Sequence, residues 1–319
     1  MPLQESEPAR GLSPLAHVGL KPGEECPPFV PARETMQEFT VKAAFFGMPR
    51  STCSAVLIAT AAVLGACASS PAGRLPYPAF IQAGELEPVF TAALPGTRAK
   101  PLFVDGRHGL STLLLTLPPD WDWNAGGAPG KSVEIYVLEG EIRLGEFTLQ
   151  RGNYAYLPPG STTLPMSTDA GARLLYFLDD ADPQAVIRTP LFMSREVVPW
   201  QPLPGAADDN VQRKVLRSDP GSGATTALIS FVPGAHGPWR ASSAPMEGFL
   251  LSGDFRVSVC VTGESLTGEY EPGGYFRSPA GTLIETGSEG GAVWLMRQPA
   301  RGALTFYDAC PAGGVPPAE

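Results

Sequence analysis

Few residues in this 319-residue chain have the types and spacing to do chemistry. There are three histidines and five cysteines. The cysteines (Cys26, Cys53, Cys67, Cys260 and Cys310) show no C-x-x-C or Cys/His spacing, so zinc and iron–sulfur sites have little support. No G-x-S-x-G elbow, phosphate loop or Cys/His nucleophile pair is present. What remains is a pair of carboxylates in matched settings, Glu134 in EIYVLEGEIR and Glu247 in EGFLLSGDFR. Strand alternation places Tyr136 and Leu138 on the face of Glu134, and Phe249 and Leu251 on the face of Glu247. If those faces point inward, each carboxylate needs a proton or a partner, because an unpaired buried carboxylate is costly. Arg277, Arg143 and Arg256 are the candidate partners. An inward Glu–Arg pair beside aromatic walls suits a polar small molecule. The other reading leaves both glutamates at strand edges, paired with neighbours or water. His236 with Glu247 and Trp239 is the one further grouping that could approach a pocket mouth; otherwise His108 and His236 are surface-loop residues. The ligand-pocket candidates are therefore Glu134, Tyr136, Glu247, Phe249, Arg277, His236 and Trp239, with no catalytic residue assigned.

The elements that must position these residues occur twice. Copy one contains LSTLLLTLPPDW, EIYVLEGEIR, GNYAYLPPG and AGARLLYF; copy two contains TTALISFVPGA, EGFLLSGDFR, GGYFRSPAG and GGAVWLMR, in the same order. Glu134 matches Glu247, Gly140 matches Gly253, Tyr154 matches Tyr275 and Gly160 matches Gly281. Copy two carries extra residues around VTGESLTGEY, which read as a longer hairpin loop. Short alternating segments bounded by Gly and Pro are strand and turn signals. They predict an all-β chain of two tandem barrels or jelly rolls.

The motifs resemble the cupin superfamily, and the layout resembles bicupins related to the ChrR-type cupin-like domain. EIYVLEGEI and EGFLLSGDF are similar to the end of the first cupin motif; GNYAYLPPG and GGYFRSPAG are similar to the second. The resemblance covers residues 78–308 and implies two double-stranded β-helix barrels, each with a metal held largely by histidines. The histidine places counted from the motif Glu hold Ala128 and Gly130 in copy one, and Ala241 and Ser243 in copy two. The third places hold Thr163 and Ile284. One carboxylate per barrel is a poor site for a transition metal. No cofactor and no metal ligand are therefore expected, with a divalent metal ion as the alternative.

The N-terminal part has a different character. MPRSTCSAVLIATAAVLGACASS (48–70) has a basic start, an apolar run too short to span a membrane, and Leu64-Gly65-Ala66-Cys67 at its end. This resembles a bacterial lipobox, in which Cys67 would be acylated and become the mature N-terminus. Residues 1–47 read as a non-native or disordered extension, 48–66 as the signal, 67–77 as a linker, 78–182 as barrel 1, 183–308 as barrel 2 with its lead-in, and 309–319 as a flexible tail. The expected address is the cell envelope, anchored by lipid and facing the periplasm, with the outer membrane as the destination. Cys260 and Cys310 then have two options there, a disulfide or two free thiols. Trp121 and Trp123 in PPDWDWNAGG either stack on a flat ligand or pack on their own barrel.

Net charge is −9 with scattered Lys and Arg, which argues against nucleic-acid binding. The expected function is a non-catalytic small-molecule-binding or scaffolding protein. Two alternatives stand: a cupin-type dioxygenase, hydrolase or isomerase using Glu247 and His236, or a structural protein acting by self-association, such as a homodimer.

Overall fold

The segment KSVEIYVLEGEIRL forms one long strand, Lys131–Leu144, that serves two sheets. Its first part pairs with Asn153–Leu157 and Ala172–Asp180, and its last four residues pair with Phe147–Gln150. Gly140 lies where the strand changes sheets. Its φ is 74°, and a Cβ there would collide with the Gly171 carbonyl oxygen, so the position requires glycine. Gly253 repeats the feature at φ 85° against Gly291. The computed structural model describes residues 80–91, 94–124, 128, 130–204, 210–261 and 263–311. Cys67, the segments 1–47, 48–66 and 67–77, and residues 312–319 lie outside the described residues.

Each copy is a two-layer antiparallel jelly-roll sandwich, with open sheets rather than closed barrels. In copy one the larger sheet runs Leu191–Ser194, Asn153–Leu157, Lys131–Leu144, Ala172–Asp180, Leu110–Leu117, Arg98–Asp105, Val89–Phe90. Phe147–Gln150, Met166–Thr168 and Trp121–Trp123 form the layer opposite. In copy two the larger sheet runs Ile81–Gln82, Gly274–Ser278, Met246–Gly253, Ala292–Gln298, Thr225–Phe231, Val211–Ser218, Gln201–Pro202. It faces Glu264–Tyr270, Phe255–Val261, Leu283–Gly287, Trp239–Ser242 and Leu304–Tyr307. Beside the strands, a 3-10 turn at Ala83–Glu85 is the sole helical element among the described residues.

The copies exchange edge strands. Ile81, from the lead-in of copy one, pairs with Tyr275 in copy two; Met193, from the lead-in of copy two, pairs with Tyr154 in copy one. The lead-in placed wholly with barrel 2 is thus divided, with Leu191–Ser194 on the first sheet and Gln201–Pro202 on the second. The extra residues of copy two lengthen strands rather than the loop. Phe255–Val261 and Glu264–Tyr270 form seven pairs, against four in the equivalent hairpin of copy one.

Three cores result. Val133, Ile135, Val137, Leu115 and Leu174 fill the first sandwich; Met246, Leu250, Ile229, Val257 and Trp294 fill the second. The third core lies between the two larger sheets, where Tyr136, Leu114, Leu175 and Phe177 meet Leu216, Leu228, Phe249 and Leu295. The larger sheets are therefore covered on both faces, which explains near-continuous apolar runs such as LSTLLLTL and ARLLYFL. Trp121 packs into the first core and donates its Nε1–H to the Pro95 carbonyl at 2.8 Å, so packing accounts for it. Cys260 and Cys310 form a disulfide with a Cα separation of 5.5 Å. The tail expected to be flexible from residue 309 is tied at that point.

Candidate functional site

Glu134 and Glu247 lie together between the two large sheets, not inside either sandwich. Residues on the inward face of their strands are Val133 and Ile135 in copy one, and Met246 and Leu250 in copy two. Alternation separates the two faces of a strand, but with both faces apolar it does not say which one meets its own sandwich core. Tyr136 and Phe249 follow their glutamates into the middle layer, with Arg277 nearby. Five of the seven pocket candidates are thus brought together, on the opposite face from the one an inward-pointing glutamate would use.

Glu134 is 1% exposed and both its oxygens are occupied. Oε1 accepts from Arg217 Nη1 and Arg297 Nε, each at 2.9 Å; Oε2 accepts from the Tyr154 hydroxyl at 2.5 Å and from the Thr226 hydroxyl. Glu247, equally buried, repeats the scheme. Its Oε1 accepts from Arg297 Nη1 at 2.7 Å, and its Oε2 from the hydroxyls of Tyr275 at 2.6 Å and Thr112 at 2.8 Å. Arg277 Nη1 stands 3.6 Å from the same oxygen. Arg297 joins both glutamates and also donates to Asp179. Each half-site takes its tyrosine from its own copy and its threonine from the other.

The register exposes a substitution pattern between the copies. Glu134 is flanked across its sheet by Tyr156 and Phe177; Glu247 is flanked by Arg277 and Arg297. Phe103 stands beside Thr112 as Arg217 stands beside Thr226. Three aromatic positions of copy one are therefore arginines in copy two. The interface pairs them across the copies: Arg217 over Tyr156 at 3.8 Å, Arg277 over Phe103 at 3.7 Å and Arg297 over Phe177 at 4.9 Å. Such stacking is favourable when desolvated. Three arginines face three carboxylates, so the layer is closely charge-balanced.

Burial pushes the Glu134 carboxyl up, but Arg297, Arg217, Thr226 and Tyr154 outweigh it and hold the group down at about 2. Burial raises Glu247, against the opposing pull of Arg277, Tyr275 and Thr112. Tyr154 and Tyr275 are raised well above the usual phenol range by burial, then by the carboxylate each faces. The network can lock two sheets together; Glu134 and Glu247 have no oxygen free for a substrate.

The other candidates fall elsewhere. His236 is exposed, bridges to Gly287 and lies 3.4 Å from Arg256, so it does not join Glu247. Trp239 is half-buried on the strand pairing with Tyr307. His108 sits exposed in a turn, 2.7 Å from Asp105. Arg143 pairs with Asp169 at the surface and Arg256 lies near Glu289; neither reaches a motif glutamate. Among the described residues, no group of three or more His, Cys, Asp or Glu could hold a metal ion.

Sequence reasoning missed Arg217, Arg297, Tyr154, Tyr275, Thr112, Thr226 and Asp179. Comparing YAYLPPG with YFRSPAG, and RLLYF with VWLMR, signals two of the aromatic-to-arginine exchanges. Arg240 was missed as well. It is 9% exposed on the inner strand Trp239–Ser242 and lines a cavity of about 160 Å³ within the second sandwich. Counting from Glu247 selected Ala241 and Ser243. Counting from the inward-facing Met246 selects Arg240 and Ser242.

Two open jelly-roll sandwiches in tandem, with these motifs at their turns, define a cupin-type fold. The chain belongs to the family of a domain of unknown function, DUF4437, whose profile spans residues 81–304. No curated protein matches the chain. Among solved structures it is similar to protein Ylba from E. coli, of family DUF861, at 17% identity and a TM-score of 0.56, covering 70% of this chain and 90% of that one. It is also similar to the S161A mutant of Bacillus subtilis oxalate decarboxylase OxdC, at 14% identity and a TM-score of 0.51, covering 73% and 80%. At these identities the likeness concerns the fold.

Proposed function

We propose that this chain is a non-catalytic small-molecule-binding or scaffolding protein of the cupin fold, held in the cell envelope by lipid on Cys67. The observation that carries the reading is the full engagement of Glu134 and Glu247 by protein donors in a buried layer. A general acid, a general base or a metal ligand needs an oxygen within reach of the reacting group. The binding space is instead the cavity of the second sandwich, whose lining contains no Asp, Glu, His or Cys among the described residues. We read the metal chemistry of the metal-binding cupins that the motifs resemble as lost from this chain, because the places counted for their histidines hold Ala128, Gly130, Thr163, Ala241, Ser243 and Ile284. Arg240, Ser242 and Met246, which face inward in copy two, do not form a transition-metal donor set either.

The test is metal analysis of the purified full chain together with a thermal-shift screen against small molecules. The reading expects no stoichiometric transition metal and at least one ligand that raises Tm. A bound metal at one per chain would sink it, as would an activity abolished by Glu247→Gln with the fold intact. The anchor has its own check. Mass spectrometry of the membrane fraction should find an acylated N-terminal Cys67, and Cys67→Ser should leave the protein unprocessed. An unmodified N-terminus upstream of Cys67 would remove the anchor and the envelope address together.

A further inference from the structure

We infer that the cavity in the second sandwich is a receptor for a small apolar monocarboxylate, with the Arg240 guanidinium as the carboxylate-binding group. The inference rests on the binding reading above and names its ligand class. Arg240 is nine-tenths buried. Both of its terminal nitrogens donate to one acceptor, Thr286 Oγ1, at 3.2 Å. No carboxylate among the described residues pairs with it. This contrasts with the buried Arg217 and Arg297 of the middle layer, each in contact with a carboxylate. Two further donors at the same cavity, Arg213 Nε and Trp294 Nε1, are buried without a hydrogen-bond partner.

Buried donors in folded proteins are almost always satisfied, by protein groups or by ordered water, and an orphan at a cavity marks a place for an acceptor. A buried cation without a counter-ion is more costly still. Burial alone pulls the Arg240 pKa down to about 10, the direction expected of a guanidinium lacking a compensating anion. Here two guanidinium cations, Arg240 and Arg213, and the Trp294 N–H line one space that has no acidic side chain among the described residues. A carboxylate supplies two acceptor oxygens in the planar geometry that a guanidinium matches. The remaining wall is mostly apolar, with Phe231, Met246 and Met296, beside Thr225 and Gln298. The cavity of about 160 Å³ is well below the ~300–1,000 Å³ of sites for drug-sized ligands. It is near the ~150 Å³ of an engineered protein cavity that takes benzene. The fit is therefore to a single ring or a short branched chain bearing one carboxylate.

Isothermal titration and thermal shift of the full chain with sodium benzoate, benzyl alcohol and sodium acetate test this. Benzoate should bind and raise Tm. Benzyl alcohol, of similar shape and uncharged, and acetate, charged without the apolar body, should each bind at least tenfold more weakly. Arg240→Met should fold, since it replaces an unpaired buried cation with an apolar chain, and should lose about tenfold to a hundredfold in benzoate affinity. Arg240→Gln serves if the methionine variant does not fold. Equal binding of benzoate and benzyl alcohol, unchanged by the Arg240 variants, would overturn the carboxylate assignment and leave the binding reading intact. No binding of any of the three would overturn the assignment, while the broader ligand screen decides the binding reading separately.

Discussion

Arg297 holds three buried or half-buried carboxylates at once, Glu134, Glu247 and Asp179, while its guanidinium lies over Phe177. Arg297→Met removes the shared cation and leaves those acids with Arg217 on one side and the more distant Arg277 on the other. Breaking one partner out of a buried ion network typically costs about 3–5 kcal/mol. Urea denaturation of the variant should show a loss of that order, whereas Arg143→Ala, at an exposed pair, should change stability little. Acid should attack the same chemistry. Asp219 is pushed up by burial but held down at about 2 by the backbone N–H groups of Ile187, Ser222, Val186 and Gly221, and Glu134 also sits at about 2. A lowered carboxylate pKa gives stability that is present above the ordinary range near 4 and lost as pH falls toward 2. Glu247, raised, contributes with the opposite sign and only softens the trend. Tm should therefore fall between about pH 5 and pH 2. In Asp219→Asn it should start lower at neutral pH and fall less steeply. A slope unchanged in that variant would remove Asp219 from the account.

At the scale of elements, the strand Leu304–Tyr307 is an edge strand paired with Trp239–Ser242, the strand that carries Arg240. The chain just beyond it is tied to Phe255–Val261 by Cys260–Cys310, which closes a span of 50 residues. For a loop of that length the chain-entropy account gives a stabilisation of roughly 4 kcal/mol as an upper figure. Cys260→Ser with Cys310→Ser should lower stability by about 2–4 kcal/mol and speed amide exchange in 304–307 more than in the first sandwich. Uniform exchange across both sandwiches would show that the bond does not hold this strand. The glycine at the sheet crossing is the other point of control. Gly253→Ala should cost about 1–3 kcal/mol or more, because it combines a left-handed backbone with a collision at the Gly291 carbonyl. Denaturant midpoints of this variant and of Gly140→Ala should shift together if the two crossings are equivalent.

The whole molecule is built as two unlike halves that need each other. Each lends an edge strand to the other's sheet, and each presents an apolar face that the other covers. The charge pattern sets which partner fits. Two copies of the first half would bring glutamates together beside rings and no arginine; two copies of the second would crowd six arginines around two glutamates. Residues 78–182 and 183–308 expressed apart should therefore be insoluble or poorly folded, and expressed together they should assemble one to one. A soluble, cooperatively melting first half on its own would show that the middle layer is not required. The triple variant Arg217→Phe, Arg277→Tyr and Arg297→Phe makes the second face resemble the first, and should fail to fold through three uncompensated acids.

The sequence by itself determined the all-β class, the duplication and the positions of the turns. Those properties rest on local rules: alternation marks strands, and Gly140, Gly160, Gly253 and Gly281 stand where the backbone takes a positive φ. By alternation it also put Tyr136 on the face of Glu134 and Phe249 on that of Glu247, with Arg277 as a candidate partner, but it assigned the two glutamates to separate barrels. Only the tertiary structure decided what surrounds them. Both faces of Lys131–Leu144 and Met246–Gly253 are apolar over the stretches that carry the glutamates, so nothing along the chain distinguishes the face meeting its own sandwich from the face meeting the other copy. One choice of face moves the glutamates from a ligand cavity into a sealed, charge-balanced seam. The same choice brings Arg240 into the cavity, although nothing adjacent in sequence marks it. A side chain's chemistry depends on which groups reach it through space, and here the partners of each glutamate come from strands of both halves.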